Sequence, residues 1–280
     1  MHRPQPEDAI GVFDSGLGGL TVAAALARAL PGERLVYLGD TARVPYGTRS
    51  PATIVRYAQH NVGFLHQFGV KLLVVACNTV SAHAMDALAE GKLTPLLGTI
   101  RPGARAALAA SRGGAIAVLG TPSTIRSEAY VHAVHALDPK RTVHGVACPL
   151  LVPLVEEGWL AHSVTTAVIR EYLTPLAGTG VDTVILGCTH YPLLRAPLRA
   201  VIDDLLGPEV AMVDSASAVA SEVKQLLTAL DLSAVGPGEP HRFYVTEAPD
   251  HTQGIAARFW GGEVGESLAL QHVDLLMDTP

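Results

Sequence analysis

Two segments of this chain set a cysteine in nearly the same surroundings. Leu72-Leu73-Val74-Val75-Ala76-Cys77-Asn78-Thr79 and Thr183-Val184-Ile185-Leu186-Gly187-Cys188-Thr189-His190 each run from apolar residues through a small residue to a thiol, then to polar side chains. A buried parallel strand that stops this way leaves its thiol at the carboxyl end, where open α/β sheets take their ligands. A thiol with an ordinary pKa of about 8.5 can give or take a proton near neutrality. Both cysteines precede predicted helices, starting near Val80 and Pro192, whose amino ends favour a thiolate. Asn78, Thr79, Thr189 and His190 add an amide, hydroxyls and an imidazole that can hold a carboxylate or a thiolate.

One thiol per half, facing each other across a cleft, suits 1,1-proton transfer. One thiolate removes the α-proton of an amino acid from one face, and the opposing thiol returns a proton to the other. That α-proton is very weakly acidic, so hydrogen-bond donors and helix ends must stabilise the developing charge. Pyridoxal phosphate would supply an electron sink on a lysine instead. Lys71, Lys92, Lys140 and Lys224 all lie outside the motif loops, so no cofactor is expected. A zinc site on Cys77, Cys188 and His190 lacks any C-x-x-C or H-x-x-x-H spacing, and no metal is expected. A covalent cysteine hydrolase needs one thiol, not two equivalent ones.

Other loops could contact a ligand. Asp14-Ser15-Gly16-Leu17-Gly18-Gly19-Leu20 is a glycine-rich turn after the first predicted strand. Thr21 occupies the third glycine position of a dinucleotide fingerprint, and Asp14 would sit where a pyrophosphate binds. Its charge suits an ammonium group better; the bland alternative is a tight turn with Asp14 or Ser15 as helix cap. In the Pro- and Gly-containing loop from Gly39 to Thr48, Pro45, Tyr46, Gly47 and Thr48 are candidates for contact, against a plain surface turn. Cys148 reads as a small buried hydrophobe.

Short β-branched runs alternating with Ala/Leu-rich stretches predict an α/β fold with parallel sheets. Strands are expected near 9–13, 35–38, 71–76, 95–98, 115–119, 142–146, 181–187, 209–213 and 242–246. Helices are expected over 19–30, 51–68, 80–90, 102–111, 123–136, 163–177, 192–205, 216–229 and 250–260. A diffuse repeat underlies them. Ala9–Ser15 aligns with Ala115–Thr121, Val44-Pro45 with Val152-Pro153, and Cys77 with Cys188, at offsets of 106, 108 and 111 residues. In this register Cys148 matches Asp40. Two similar α/β domains follow, one over 102–208 and a discontinuous one over 1–101 plus 209–280, with the active site in the cleft between them.

Composition narrows the class. The chain is 49% apolar and 16% charged, which supports a packed core. A net charge of −6 argues against a nucleic-acid partner, and no apolar run reaches the ~18 residues of a bilayer span. The polar, Pro-containing start has no signal-peptide core, and three cysteines without metal spacing fit a reducing cytoplasm.

Together the motifs resemble the glutamate racemases of the aspartate/glutamate racemase superfamily. The resemblance rests on Gly11–Leu20, Leu38-Gly39-Asp40 through Pro45-Tyr46-Gly47, Ala76-Cys77-Asn78-Thr79, Pro153–Glu156, Leu186–Pro192 and Val213-Asp214-Ser215, and runs from about residue 9 to 260. It implies a cofactor-independent enzyme that interconverts L- and D-glutamate and supplies D-glutamate for peptidoglycan, as a homodimer in a bacterial cytoplasm. It implies Cys77 as the base for D-glutamate and Cys188 for L-glutamate. Asp14, His190 and Glu156 match assisting groups. Ser15, Tyr46, Gly47, Asn78, Thr79, Thr121 and Thr189 match substrate-binding positions, and Thr121-Pro122-Ser123-Thr124 keeps the family's hydroxyl-rich loop, bringing in Thr124. The segment after 261, from Val264 to Leu268 and beyond, resembles a terminal stretch of unassigned role. Rival readings are a superfamily member acting on aspartate, a hydantoin or a malonate, and a two-domain amino-acid sensor. A sensor has no use for a thiol at each strand end.

Overall fold

A computed structural model describes residues 3–90, 93–236, 239–247, 252–261 and 268–275. Most of the Val264–Leu268 stretch, and the first two residues of the helix expected over 250–260, lie outside them.

Among the described residues ten strands form two parallel sheets. The first contains β1 (Ala9–Asp14), β2 (Leu35–Gly39), β3 (Val70–Val75), β4 (Leu96–Gly98), β9 (Arg242–Val245) and β10 (Leu270–His272), in the order β10-β9-β2-β1-β3-β4. The second contains β5 (Ala115–Gly120), β6 (Val143–Ala147), β7 (Val181–Gly187) and β8 (Ala211–Asp214), in the order β6-β5-β7-β8. Both sheets are parallel throughout. The central strands β1, β3 and β5 are buried along their whole length, as continuous apolar runs require when helices cover both faces.

The repeat read from the sequence reappears as topology. β2-β1-β3-β4 and β6-β5-β7-β8 share one order. Even an irregularity recurs: the β1–β3 register shifts between Ala9 and Ile10, and the β5–β7 register between Ala115 and Ile116. The N–H of Asp40 donates to Asp14 O (3.1 Å) as that of Cys148 donates to Gly120 O (2.9 Å), in the predicted alignment.

One expectation is corrected. The sequence reading gave everything after 208 to the first domain, but β8 pairs with β7 from Thr183↔Ala211 to Leu186↔Asp214 and completes the second sheet. Only after β8 does the chain return to the first sheet, through β9 and β10. It therefore crosses between sheets at Thr99, ahead of α5 (Ile100–Ala110), and at Ser215, the first residue of α11 (Ser215–Ala229). α11 packs against both α5 and α1 (Leu20–Ala29). One apolar core joins the halves, with Ile10, Leu26 and Val74 in the same cluster as Leu119, Val184, Leu186 and Val219.

Capping chemistry explains the helix boundaries that matter. α2 (Pro51–His66) starts at Ser50, whose hydroxyl accepts the Thr53 N–H (3.3 Å), with proline in the first turn. It is followed by Gly69 at φ 61°, the left-handed conformation glycine adopts freely. The helix expected over 80–90 divides into α3 (Asn78–His83) and α4 (Met85–Ala89). That expected over 123–136 divides into α6 (Pro122–Arg126) and α7 (Ala129–His135). Glu128 sits between them at φ 54°, and the Ser127 hydroxyl accepts the Ala129 N–H (3.2 Å) in place of a continuing helical bond. Among the described residues no helix is long and apolar enough to cross a membrane.

Candidate active site

The carboxyl ends of β1, β3, β5 and β7 bring the candidate residues together from both sheets. Cys77 follows β3 and caps α3; Cys188 follows β7. Both are nearly buried, at 5% and 6% exposure. The helix expected from near Pro192 begins three residues later than expected. A turn and a short 3-10 segment, Tyr191–Leu194, precede α10 (Arg195–Leu205), because Pro192 and its neighbours tighten the chain first.

The surroundings of the two thiols differ. Cys77 Sγ donates to Ser15 Oγ (3.4 Å). Burial, reinforced by the Asp14 charge, pushes its pKa up to about 12. The expected pull of the helix end toward a thiolate is outweighed, since α3 has only six residues and the thiol is buried. Cys188 Sγ lies 3.9 Å from His190 Nδ1. His190 Nε2 in turn meets Glu156 Oε1 at 3.1 Å, at the end of α8 (Leu151–Glu156), a helix the sequence reading did not anticipate. Burial alone would lower the His190 pKa, but its bonds to Cys188 and Glu156 raise it to about 10. Both bonds favour the imidazolium form. Phe259, from α12 (Thr252–Trp260), packs edge-on against it with ring centroids 4.9 Å apart.

That raised pKa has a testable sign. A histidine whose folded-state value exceeds its ordinary 6.5 adds stability fully below about pH 6.5 and loses it as pH rises through about 10. The gap in melting temperature between the parent and His190→Gln is expected to be widest near pH 6 and to narrow up to pH 10. A gap that stays constant over this range refutes the imidazolium assignment.

Asp14, 1% exposed, accepts the Gly16 N–H at Oδ2 (3.1 Å), while its Oδ1 has no hydrogen-bond partner among the described residues. Burial raises its pKa, and His190 opposes that rise. The backbone N–H groups of Gly19, Gly16 and Ser15 also favour its charged form.

Hydroxyls from both halves meet nearby. Thr79 Oγ1 lies 3.0 Å from Thr121 Oγ1 and 3.3 Å from Thr124 Oγ1, and the latter two are 3.0 Å apart. Gly47 closes on this group from the Asp40–Thr48 loop; a Cβ there would stand 3.3 Å from Thr121 Cβ. The loop is held from below. Asp40, fully buried, pairs with Arg43 Nε (2.7 Å) and accepts from Thr246 Oγ1 (3.0 Å) and the Tyr46 hydroxyl. The Tyr46 hydroxyl is thus committed to the scaffold, so only its backbone is available to a ligand. The Pro45 peptide is cis. Thr48 is exposed and its hydroxyl bonds the Pro45 carbonyl (3.5 Å), apart from the threonine cluster.

The glycine-rich turn is not an open cradle. A Cβ on Gly18 would stand 2.3 Å from Thr189 Oγ1 and 2.5 Å from His190 Nδ1, and Thr21 Oγ1 donates to Thr189 O (3.1 Å). The turn of the first half is therefore the seat of the Thr189-His190 loop of the second. Thr21 entered the sequence reading only as a defect in a dinucleotide motif; that defect was the available signal. Lys71, which is buried, pairs with Glu33 (2.6 Å) at the opposite end of β3 from Cys77.

Comparison with known proteins gives the family. The family model described as Asp/Glu/Hydantoin racemase matches residues 11–223. A glutamate racemase from Geobacter metallireducens is 47% identical over 262 residues, covering 93% of this chain and 96% of the relative. The crystal structure of a glutamate racemase isoform from Bacillus anthracis superposes with a TM-score of 0.90 at 40% identity, covering 97% of this chain and 99% of that one. A Francisella tularensis glutamate racemase, solved in complex with D-glutamate, superposes with a TM-score of 0.88 at 34% identity, covering 96% and 98%. With the family model spanning most of its length and relatives this similar over nearly all of it, the chain is an isomerase belonging to the Asp/Glu/hydantoin racemase family.

Proposed function

We propose that this enzyme racemises glutamate without a cofactor, by proton transfer between Cys77 and Cys188. The observation that carries the reading is the equivalence of the two thiols: each ends the same strand of a repeated unit, and the strand-end loops meet. The substrate assignment is supported by the glutamate racemases to which the chain is similar.

In this reading the substrate ammonium pairs with the Asp14 carboxylate. Thr79, Thr121, Thr124, Thr189 and the Asn78 amide donate to the carboxylates, with the backbone of Tyr46 and Gly47 closing one side. For L-glutamate, Cys188 as thiolate takes the α-proton, and His190 supplies the positive charge a thiolate needs beside it. The C–H electron pair passes into the α-carbon and carboxylate as a dianionic enolate, stabilised by the hydroxyl donors. Cys77, a protonated thiol at rest, then gives its proton to the opposite face. The product leaves with Cys77 as thiolate and Cys188 as thiol, and the reverse reaction or solvent exchange restores the start. Substrate ammonium against Asp14 offsets the charge that otherwise raises the Cys77 pKa, so binding itself eases formation of the Cys77 thiolate. Glu156 acts through His190 by holding it charged and oriented. The product would supply D-glutamate for peptidoglycan, in the bacterial cytoplasm and with the enzyme as a homodimer, as the resemblance implies.

Incubation with L-glutamate in deuterium oxide, without pyridoxal phosphate, is expected to bring optical rotation to zero while deuterium enters the α-position. Absence of exchange with either enantiomer rejects the proposal. A malonate decarboxylase would need only one of the thiols, which makes that reading weaker.

A further inference from the structure

One side chain outside every motif touches the neighbours of both cysteines. Tyr130, near the start of α7, is 3% exposed. Its hydroxyl donates to Asn78 Oδ1 (2.7 Å), on the residue directly after Cys77. Its ring packs on Gly187, directly before Cys188: a Cβ at Gly187 would stand 3.2 Å from Tyr130 Cε2. On another side the ring meets Gly103 of α5, where a Cβ would lie 3.1 Å from Cε1. Both glycines leave room for the ring, which fills the gap between a first-sheet loop and a second-sheet strand end.

Asn78 gathers the remaining connections. Its Oδ1 also accepts from Thr99 Oγ1 (3.0 Å), and its Nδ2 reaches Ser215 Oγ (3.5 Å). Thr99 and Ser215, both fully buried, are the two points where the chain passes between sheets. The Thr99 N–H is anchored in turn on Ser81 Oγ (3.1 Å), whose hydroxyl donates to Val75 O at the end of β3 (3.1 Å). Both crossings and a helix of the second unit are thus tied to one carboxamide beside a catalytic thiol. Because Oδ1 holds two donors, the amide is oriented, with one of its N–H groups directed at Ser215 Oγ.

We propose that Tyr130 is a positioning residue for both cysteines: its ring spaces Gly187-Cys188 from the first sheet, and its hydroxyl, together with Thr99 and Ser215, pins Asn78 so that the two thiols keep their separation through turnover. The proposal rests on the two-cysteine racemase reading above, but it makes a structural demand that is readable without catalysis.

Tyr130→Phe keeps the ring and removes only the pin. A buried hydrogen bond of this kind is worth about one factor of ten in rate when lost from an oriented group. Tyr130→Phe is therefore expected to lower kcat about tenfold in both directions, with KM changed less than kcat. In an Asn78→Ala background the same substitution is expected to change kcat by less than about twofold, since the hydroxyl acts through Asn78. Unchanged kcat in Tyr130→Phe, or a full tenfold loss added to that of Asn78→Ala, overturns the proposal. Amide hydrogen exchange read on peptides covering Asn78, Thr99 and Ser215 supplies the second measurement. Exchange should rise at all three together in Tyr130→Phe; a rise confined to α7 overturns the pin. If the parent enzyme is inactive on glutamate, the racemase reading fails while the exchange experiment still decides the pin.

Discussion

Replacing Cys77 or Cys188 with serine is expected to lower glutamate racemisation about a thousandfold or more in both directions, the scale of a positioned acid or base. Each direction uses both thiols, one to take a proton and one to give it, so neither enantiomer escapes. Serine keeps the shape and small size of cysteine, so the folds should survive and the melting temperatures stay close to the parent. The variants should nevertheless differ in exchange. Cys77→Ser retains Cys188, which faces the L-enantiomer in the proposed assignment; it should wash deuterium into L-glutamate without inverting it and leave D-glutamate untouched. Cys188→Ser should show the reverse. Racemisation within a few-fold of the parent in either variant would falsify the two-base mechanism. Exchange into the same enantiomer by both would show that the thiols share one face.

Gly18→Ala is expected to cost about a hundredfold in kcat/KM although Gly18 bears no chemical group. Its added Cβ would press on Thr189 Oγ1 and on the His190 ring at 2.3 to 2.6 Å, contacts real atoms do not tolerate. Overpacking on this scale costs about 1–3 kcal/mol, and the strain falls on the loop that orients His190 and Cys188. Relief requires that the Thr189-His190 loop withdraw from the first half, which separates the two thiols. Gly63→Ala serves as control: Gly63 is exposed on α2 with nothing within 4 Å of a Cβ, and alanine there should leave activity unchanged and stability equal or higher. Parental kcat/KM in Gly18→Ala would show that the seat between turn and loop is not needed for turnover.

Much of the site was legible before any coordinates, for a local reason. A short β-branched apolar run ending in a small residue and then a cysteine reads as a strand end, and strand ends of parallel sheets gather on one side. Cys77, Cys188, Asp14, Thr79 and Thr121 were found this way or through the family motifs that sit on the same strand ends. The repeat was legible because its anchors lie on equivalent strands, where burial restricts the residue types. Glu156 was readable only by resemblance, since α8 is one short amphipathic turn with a proline inside it. The place of β8, half-buried along its length, was misjudged because a strand's pattern reports which residues face inward, not which sheet the strand joins.

What the amino-acid order determined by itself, then, is the strands β1 to β9, their repetition and the thiol at the end of two of them, because these follow from periodicity and side-chain type within a few residues; β10, three residues long, was not anticipated. What only the tertiary structure decided is how the two halves meet: Gly18 under Thr189 and His190, Tyr130 between Gly187 and Asn78, Asp14 buried within reach of the His190 charge. The unequal surroundings of the two thiols belong with these, Cys77 pushed toward its protonated form and Cys188 beside an imidazole whose bonds favour its charged form. Such contacts join residues far apart in the chain, and their burial and charge exist only once two sheets have been packed against each other.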